Sequence, residues 1–254
     1  MWRDTWLVFQ RDMASAMRNP AWLLIGITQP LLYLFFFGPL FVRVLSAGGL
    51  SSSDGWLLLA PGLIAQLALF GGITVGFDLL ADYRAGVVER LRVTPASRLA
   101  LLLGKVFASA VQATVQALLL IVVALLVFRL DISPAGLGVS VLITFVLAVA
   151  IAACSNALAL TLKSEQSFPA LMNTVLMPVI LLSGILIPID GSTAPGWLRI
   201  VADVNPVSHI VTALRGAFHG DFSSGPVLVG GAVTVGFAVL AVWWGARTFG
   251  RENA

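Results

Sequence analysis

The chain reads as an all-α integral membrane protein. It has six transmembrane helices, an N-terminal interfacial helix, a cytoplasmic helix between spans 2 and 3, and a re-entrant helical hairpin before span 6. Three observations carry that fold class. Of 254 residues, 59% are hydrophobic and only 11% charged, whereas a soluble domain carries about a quarter charged residues. The apolar residues gather into blocks near the roughly 20 residues that cross a hydrocarbon core. The charges gather into short runs between those blocks, the densest being Asp82–Arg98. A net charge of +3 and a pI near 9.6 would suggest nucleic acid for a soluble chain. Here the retention of positive loops on the cytoplasmic side explains the excess, and no nucleic-acid partner is expected. Cys154 is the one cysteine, so no disulfide framework exists.

Residues 1–20 do not span, because Arg3, Asp4, Arg11, Asp12 and Arg18 interrupt them. They keep a helical period. Trp2, Trp6, Phe9, Met13 and Met17 recur at steps of three or four, while Asp4, Arg11 and Arg18 fall on another face. Such a helix lies flat in the membrane interface. The segment has no uninterrupted apolar core and no small-residue cleavage site of signal-peptide type, so the first span is expected to act as its own insertion signal. Asn19-Pro20 breaks the helix.

Residues 21–81 hold spans 1 and 2. Span 1 is Ala21–Phe41, with Pro30 and Pro39; a Gly/Ser-rich loop over 42–56 follows, then span 2 at Leu57–Ala81. Gly72 and Gly76 in span 2 have the GxxxG spacing that permits close helix approach, a pattern also common by chance. Residues 82–99 (DYRAGVVERLRVTPASRL) form a charged segment between two spans. Ionised groups are costly in hydrocarbon, so it must lie at a water-facing surface, and its arginines place that surface in the cytoplasm. Its helical pattern, mixed charge and terminating Pro95 suit a short helix on which a soluble partner pushes.

Residues 100–189 hold spans 3 to 5: Ala100–Phe128, Ala135–Leu162 and Phe168–Ile187, with a tight turn at Lys163, Glu165 and Gln166. Residues 190–225 are too polar and too broken by Pro195 and Pro206 to span, yet VSHIVTALRGAF reads as an amphipathic helix. A re-entrant or interfacial hairpin suits them, since irregular backbone is tolerated where protein or water meets it. Residues 226–254 hold span 6, Pro226–Ala246, and a tail. Six spans put both termini on one side. With that side cytoplasmic, ten Lys and Arg face the cytoplasm and four (Arg43, Arg129, Arg199, Arg215) the opposite side, which supports both termini inside.

The chain carries no energy source of its own. No G-x-x-x-x-G-K-[ST] is present, and Gly104-Lys105 lacks both the earlier glycine and the following hydroxyl. His209 and His219 have no carboxylate or cysteine arranged around them, so no metal site is expected. Asp78 and Lys105 read as boundary residues close to the cytoplasmic surface. Lys105, Ser109, Gln112 and Gln116 make a polar stripe on one face of span 3. Gln112 and Gln116, with Asn156 and Asn173, are candidates for a substrate path; equally, intramembrane amides serve as glue between helices.

The run Gly86–Pro95 (GVVERLRVTP) and the late stretch Leu182–Gly216 (LSGILIPID…PGWLRIVADVNPVSHIVTALRG) resemble the membrane subunit of ABC-2 type exporters. The resemblance is particularly to the daunorubicin-resistance-like drug efflux permeases. The likeness covers essentially the whole chain as one ABC-2 type transmembrane domain. It implies that Arg84, Gly86, Glu89, Arg90, Leu91, Arg92, Thr94 and Pro95 belong to a coupling helix docked on a separate ATP-binding subunit. Pro188, Trp197, Asn205, Pro206 and His209 would belong to an extracytoplasmic gate. It also implies two ATP-binding subunits, which hold the ATP and Mg, a second membrane subunit, identical or related, and residence in a bacterial cell membrane. The chain itself is then no enzyme but a transport subunit for an amphipathic drug or natural product. A lipid or lipid-linked glycan is the alternative cargo. A channel or secondary transporter would want a paired charged site at mid-membrane, which the sequence does not display.

Overall fold

The computed structural model describes residues 2–47, 49, 51–86, 98–130, 132–164, 166–189 and 194–251. Among the described residues there are nine helices and no strand. They are α1 (Trp2–Arg18), α2 (Ala21–Ala47), α3 (Ser52–Arg84), α4 (Arg98–Phe128), α5 (Pro134–Leu162), α6 (Ser167–Leu181), α7 (Gly196–Val204), α8 (Pro206–Phe218) and α9 (Gly225–Arg251). Five of them, α2, α3, α4, α5 and α9, are long and apolar enough to cross a membrane.

Local chemistry sets their limits. Ser51 caps α3 by accepting the Asp54 N–H at 3.2 Å, and Ser133 caps α5 by accepting the Gly136 N–H at 3.0 Å. Each satisfies a donor that the first turn leaves orphaned. Lys163, at φ 48°, ends α5 in a left-handed turn. Span 1 is longer than expected: α2 continues to Ala47 through Pro30 and Pro39. A π-helical turn over Tyr33–Phe37 lies just before Pro39, and the Gly38 N–H reaches back to the Tyr33 carbonyl. That wider turn accommodates a residue that cannot donate and whose ring crowds the preceding carbonyls.

Helix α3 is the axis of the bundle, with every residue from Leu59 to Leu69 buried. It crosses α5 at the GxxxG pair. A Cβ on Gly72 would fall 2.7 Å from the Ile151 Cβ, and one on Gly76 would fall 2.4 Å from the Ser155 Oγ. Ser155 fastens the crossing by donating to the Ile73 carbonyl at 2.8 Å and accepting the Gly76 N–H at 3.1 Å. Here the spacing is used as a helix contact. Helix α4 lies against α3 and α5, α9 against α5 and α8, and α2 on the outside of α3 and α4.

The fifth expected span differs from its sequence pattern. Where Phe168–Ile187 reads as a span, the helix is Ser167–Leu181, 15 residues and so about 22 Å long, short of a ~30 Å hydrocarbon core. Pro178 weakens its last turn, and Gly184 at φ +69° turns the chain away. Residues 182–189 continue without helix, and the Ile185 carbonyl presses on α3 so closely that a Cβ on Gly62 would fall 2.0 Å away. The stretch expected to form a hairpin holds two helices, α7 and α8. Helix α7 exposes Trp197, Ile200 and Val204, while α8 buries Val207, Ile210, Val211 and Leu214.

Candidate functional site

The charged hinge is described only at its edges. Asp82, Tyr83 and Arg84 still belong to α3, and Gly86, at φ +66°, adopts the left-handed backbone that glycine tolerates and that ends a helix. Glu89, Arg90, Leu91, Arg92, Thr94 and Pro95 lie outside the described residues.

Beside the hinge, α1, the start of α2, α3 and α4 enclose a cleft of about 620 Å³. Helix α1 is drawn in because Gly104 of α4 has no side chain. A Cβ there would fall 2.7 Å from the Val8 Cβ and 2.9 Å from the Thr5 carbonyl oxygen. Trp22 Nε1 donates to the Ala16 carbonyl at 2.9 Å and fixes the corner between α1 and α2. Three carboxylates and two cations line the space: Asp12, Asp78, Asp82, Arg11 and Lys105. Asp82 is central, ion-paired to Lys105 and 3.8 Å from Arg11, which also holds Asp12 at 2.9 Å. Lys105 is only 5% exposed. It is therefore a buried partner of α3 rather than a free boundary cation, and Asp82 ties α1, α3 and α4 together.

At the other end of α3 sits a second arrangement of charge. Arg215 of α8 is buried, and it donates Nε to the Leu58 carbonyl at 3.0 Å. Its Nη2 donates to the carbonyls of Gly184 at 2.7 Å and Ile185 at 3.3 Å. One guanidinium thus joins α8, α3 and the non-helical stretch after α6, supplying donors to the Gly184 and Ile185 carbonyls, which lie outside any helix. Asn205 does related work. Its Oδ1 accepts the Val207 N–H at 3.0 Å and caps α8, while its Nδ2 donates at 2.9 Å to the Val179 carbonyl near the end of α6.

The expected path residues do not come together. Gln112 lines the cleft. Gln116 is buried and donates Nε2 to the Trp22 carbonyl at 3.1 Å. Asn156 is wholly enclosed in α5 with neither amide atom hydrogen-bonded, and Asn173 is exposed on α6. Of the hairpin residues, Asn205, Pro206 and His209 meet at the turn between α7 and α8, where His209 Nε2 lies 2.8 Å from the Asp203 carbonyl. Trp197 points outward and Pro188 stands at the end of the irregular stretch. In the sequence Arg215 reads as an ordinary loop charge. Its signal was a lone cation amid apolar neighbours (VTALRGAF) with no acidic residue close by.

A family model described as ABC-2 type transporter matches residues 3–219. The chain is 26% identical over 246 residues to the "Daunorubicin resistance ABC transporter permease protein DrrB1" of Streptomyces coeruleorubidus, covering 96% of this chain and 85% of the relative. It is 27% identical over 207 residues to a protein of Porphyra purpurea described as transport permease ycf38, covering 81% and 70%. A doxorubicin resistance ABC transporter permease, DrrC, of Mycobacterium tuberculosis is 26% identical over 178 residues, covering 69% and 61%.

Proposed function

We propose, from the premise that this chain belongs to the ABC-2 type transporter family, that it is the membrane permease of an ATP-driven exporter of amphipathic drugs or natural products. Permeases of this family work with ATP-binding subunits, and the relatives named for daunorubicin and doxorubicin resistance support the cargo class. In this reading two ATP-binding subunits, which hold ATP and Mg, dock on residues 84–95. Two membrane subunits, identical or related, enclose the path, and both termini face the cytoplasm. The α7–α8 hairpin forms the extracytoplasmic gate. It sits on the broken end of α6, which completes the fifth of six crossings with non-helical backbone held by Arg215.

The observation that carries the coupling is the Asp82 junction. Because Asp82 joins Lys105 of α4 and Arg11 of α1, a push on residues 85–97 reaches α1, α3 and α4 as one body. A push can shift an inward–outward equilibrium only if the ATP-binding subunits contact the two states differently, and a connected lever supplies that difference.

The test is ATP-dependent efflux of a fluorescent amphipathic drug from vesicles holding this chain and its ATP-binding subunit. Glu89→Ala with Arg92→Ala is expected to abolish efflux while drug binding without ATP persists. Undiminished efflux overturns the hinge assignment. ATP hydrolysis without drug movement, in the unaltered pair, would put a lipid or lipid-linked glycan first as cargo.

A further inference from the structure

The cleft between α1, α3 and α4 has a charge arrangement that the coupling role does not use. Arg11 pairs with Asp12, and Lys105 pairs with Asp82. Asp78 also lines the cleft, one helical turn inward from Asp82, and has no hydrogen bond or ion pair among the described residues. Two cations against three carboxylates leave one negative charge over, and it resides on the unpaired member. Asp78 lies six residues inside the end of α3 at Arg84, about 9 Å along the helix. Its side chain is exposed to the cleft. A carboxylate open to an apolar-walled cleft gains from a cation that brings its own apolar body.

The walls suit that body. Trp22, Val75, Ala81 and Ala108 alternate with the polar Thr74, Ser109 and Gln112. Ser109 is already engaged, donating to the Gly71 carbonyl at 3.1 Å, whereas Gln112 is free to meet a polar group further in. The volume of about 620 Å³ falls in the range of small-molecule sites, roughly 300–1,000 Å³. An aromatic wall beside a carboxylate favours an ammonium over a neutral head.

We propose that this cleft is a binding site for the ammonium group of an amphiphile, with Asp78 as counter-charge, Gln112 as the deeper polar contact and Trp22 as the flat wall. As the substrate class of the exporter it rests on the reading above; as a binding site it stands on the geometry alone. Among the described residues an anionic head finds no free cation here, because Arg11 and Lys105 are already paired. The same ammonium chemistry could come from a cationic drug-like amphiphile or from the amine of an aminophospholipid headgroup.

The experiment is equilibrium binding to the purified full chain in nanodiscs of phosphatidylglycerol, with no ATP-binding subunit. The probe is a dansyl-labelled undecyl chain ending in a primary ammonium, compared with the same chain ending in a hydroxyl. The unaltered chain is expected to bind the ammonium probe about tenfold to a hundredfold more tightly than the hydroxyl probe. Asp78→Asn should erase that preference, and Asp78→Glu should restore part of it. Equal binding of the two probes by the unaltered chain, or an intact preference in Asp78→Asn, overturns the proposal. The preference of the unaltered chain in excess of that of empty nanodiscs of the same lipid, together with its partial retention in Asp78→Glu, decides the matter even if Asp78→Asn does not fold. Nanodiscs doped with phosphatidylethanolamine identify the source: displacement of the probe assigns the site to lipid amines, and its persistence assigns it to a free cationic amphiphile. Ammonium binding without ATP-driven efflux would sink the exporter reading and leave the site standing. Efflux without ammonium preference would do the reverse.

Discussion

Leu58 and Asp82 stand 24 residues apart on α3, about 36 Å of helix, and each marks a place where charge is taken out of water. At the Leu58 end Arg215 meets no carboxylate among the described residues; its whole partner set is backbone carbonyl. At the Asp82 end the charges meet one another across three helices and leave one carboxylate over in an open cleft. The first arrangement is closed, with Nε and Nη2 spent on backbone carbonyls. The second keeps charge and space in reserve. A guanidinium spread over fixed dipoles makes a joint, whereas a mixed-sign cluster with a surplus makes a place for a ligand.

Breaking the joint should have the largest effect on stability. Arg215→Ala leaves the Gly184 and Ile185 carbonyls without the donor they have here, and is expected to cost about 3 kcal/mol. Arg215→Lys keeps the charge but loses the planar fork, and should recover less than half of that. Because Cys154 is the one thiol, its reaction with a thiol-activated dye on heating in detergent reports unfolding directly. An Arg215→Ala protein that melts with the parent would show that the α6–α8 junction is not held by this residue.

The Asp82 cluster should respond asymmetrically, which no symmetric view of an ion pair predicts. Asp82→Asn takes from Lys105, 5% exposed, its ion-pair partner and leaves only the more distant Asp78; Lys105→Met leaves Asp82, 27% exposed, with Arg11 still close. The first is expected to cost about 2–3 kcal/mol and the second under about 1 kcal/mol, since an unpaired buried charge is what costs most. In the double variant the stranded lysine is gone, so Lys105→Met should rescue Asp82→Asn in the same melt. Equal losses in the two single variants would mean that Lys105 reaches water by another route.

How far the sequence foretold these two regions follows from what each depends on. Hydropathy and length place α2, α3, α4, α5 and α9, because a hydrocarbon slab selects on those quantities alone. Asn205 and Pro206 announce the start of α8 through local cap chemistry. The shortened α6 was hidden because residues 182–189 stay apolar after the helix stops: hydropathy does not register that Gly184 turns the chain. The role of Arg215 was hidden for a different reason. Its partners are 30, 31 and 157 residues away in sequence, and no local pattern encodes such a meeting. The Asp78–Asp82 spacing put two carboxylates on one face in plain sight, but which of them is neutralised depends on Lys105 and Arg11 arriving from other helices.

The smallest effect separates the two uses of one polar stripe. Gln112 and Gln116 are a turn apart on α4 and chemically identical, yet Gln116 bonds the Trp22 carbonyl and fills the space over Gly26, while Gln112 faces the cleft. Interhelical hydrogen bonds of this kind are worth about 0.6 kcal/mol in membranes, and the lost packing adds to that. Gln116→Ala is therefore expected to lower the dye-monitored melt by about 1 kcal/mol equivalent, and Gln112→Ala by less than about 0.5 kcal/mol. Drug efflux should rank them the other way, with Gln112→Ala the more damaging at equal protein level. If both amides move stability alike and neither moves efflux selectively, the stripe is glue along its whole length and the cleft loses its inner polar contact. If the rankings cross, one helix face carries structure at one turn and recognition at the next, divided by whether a neighbouring backbone has already claimed the amide.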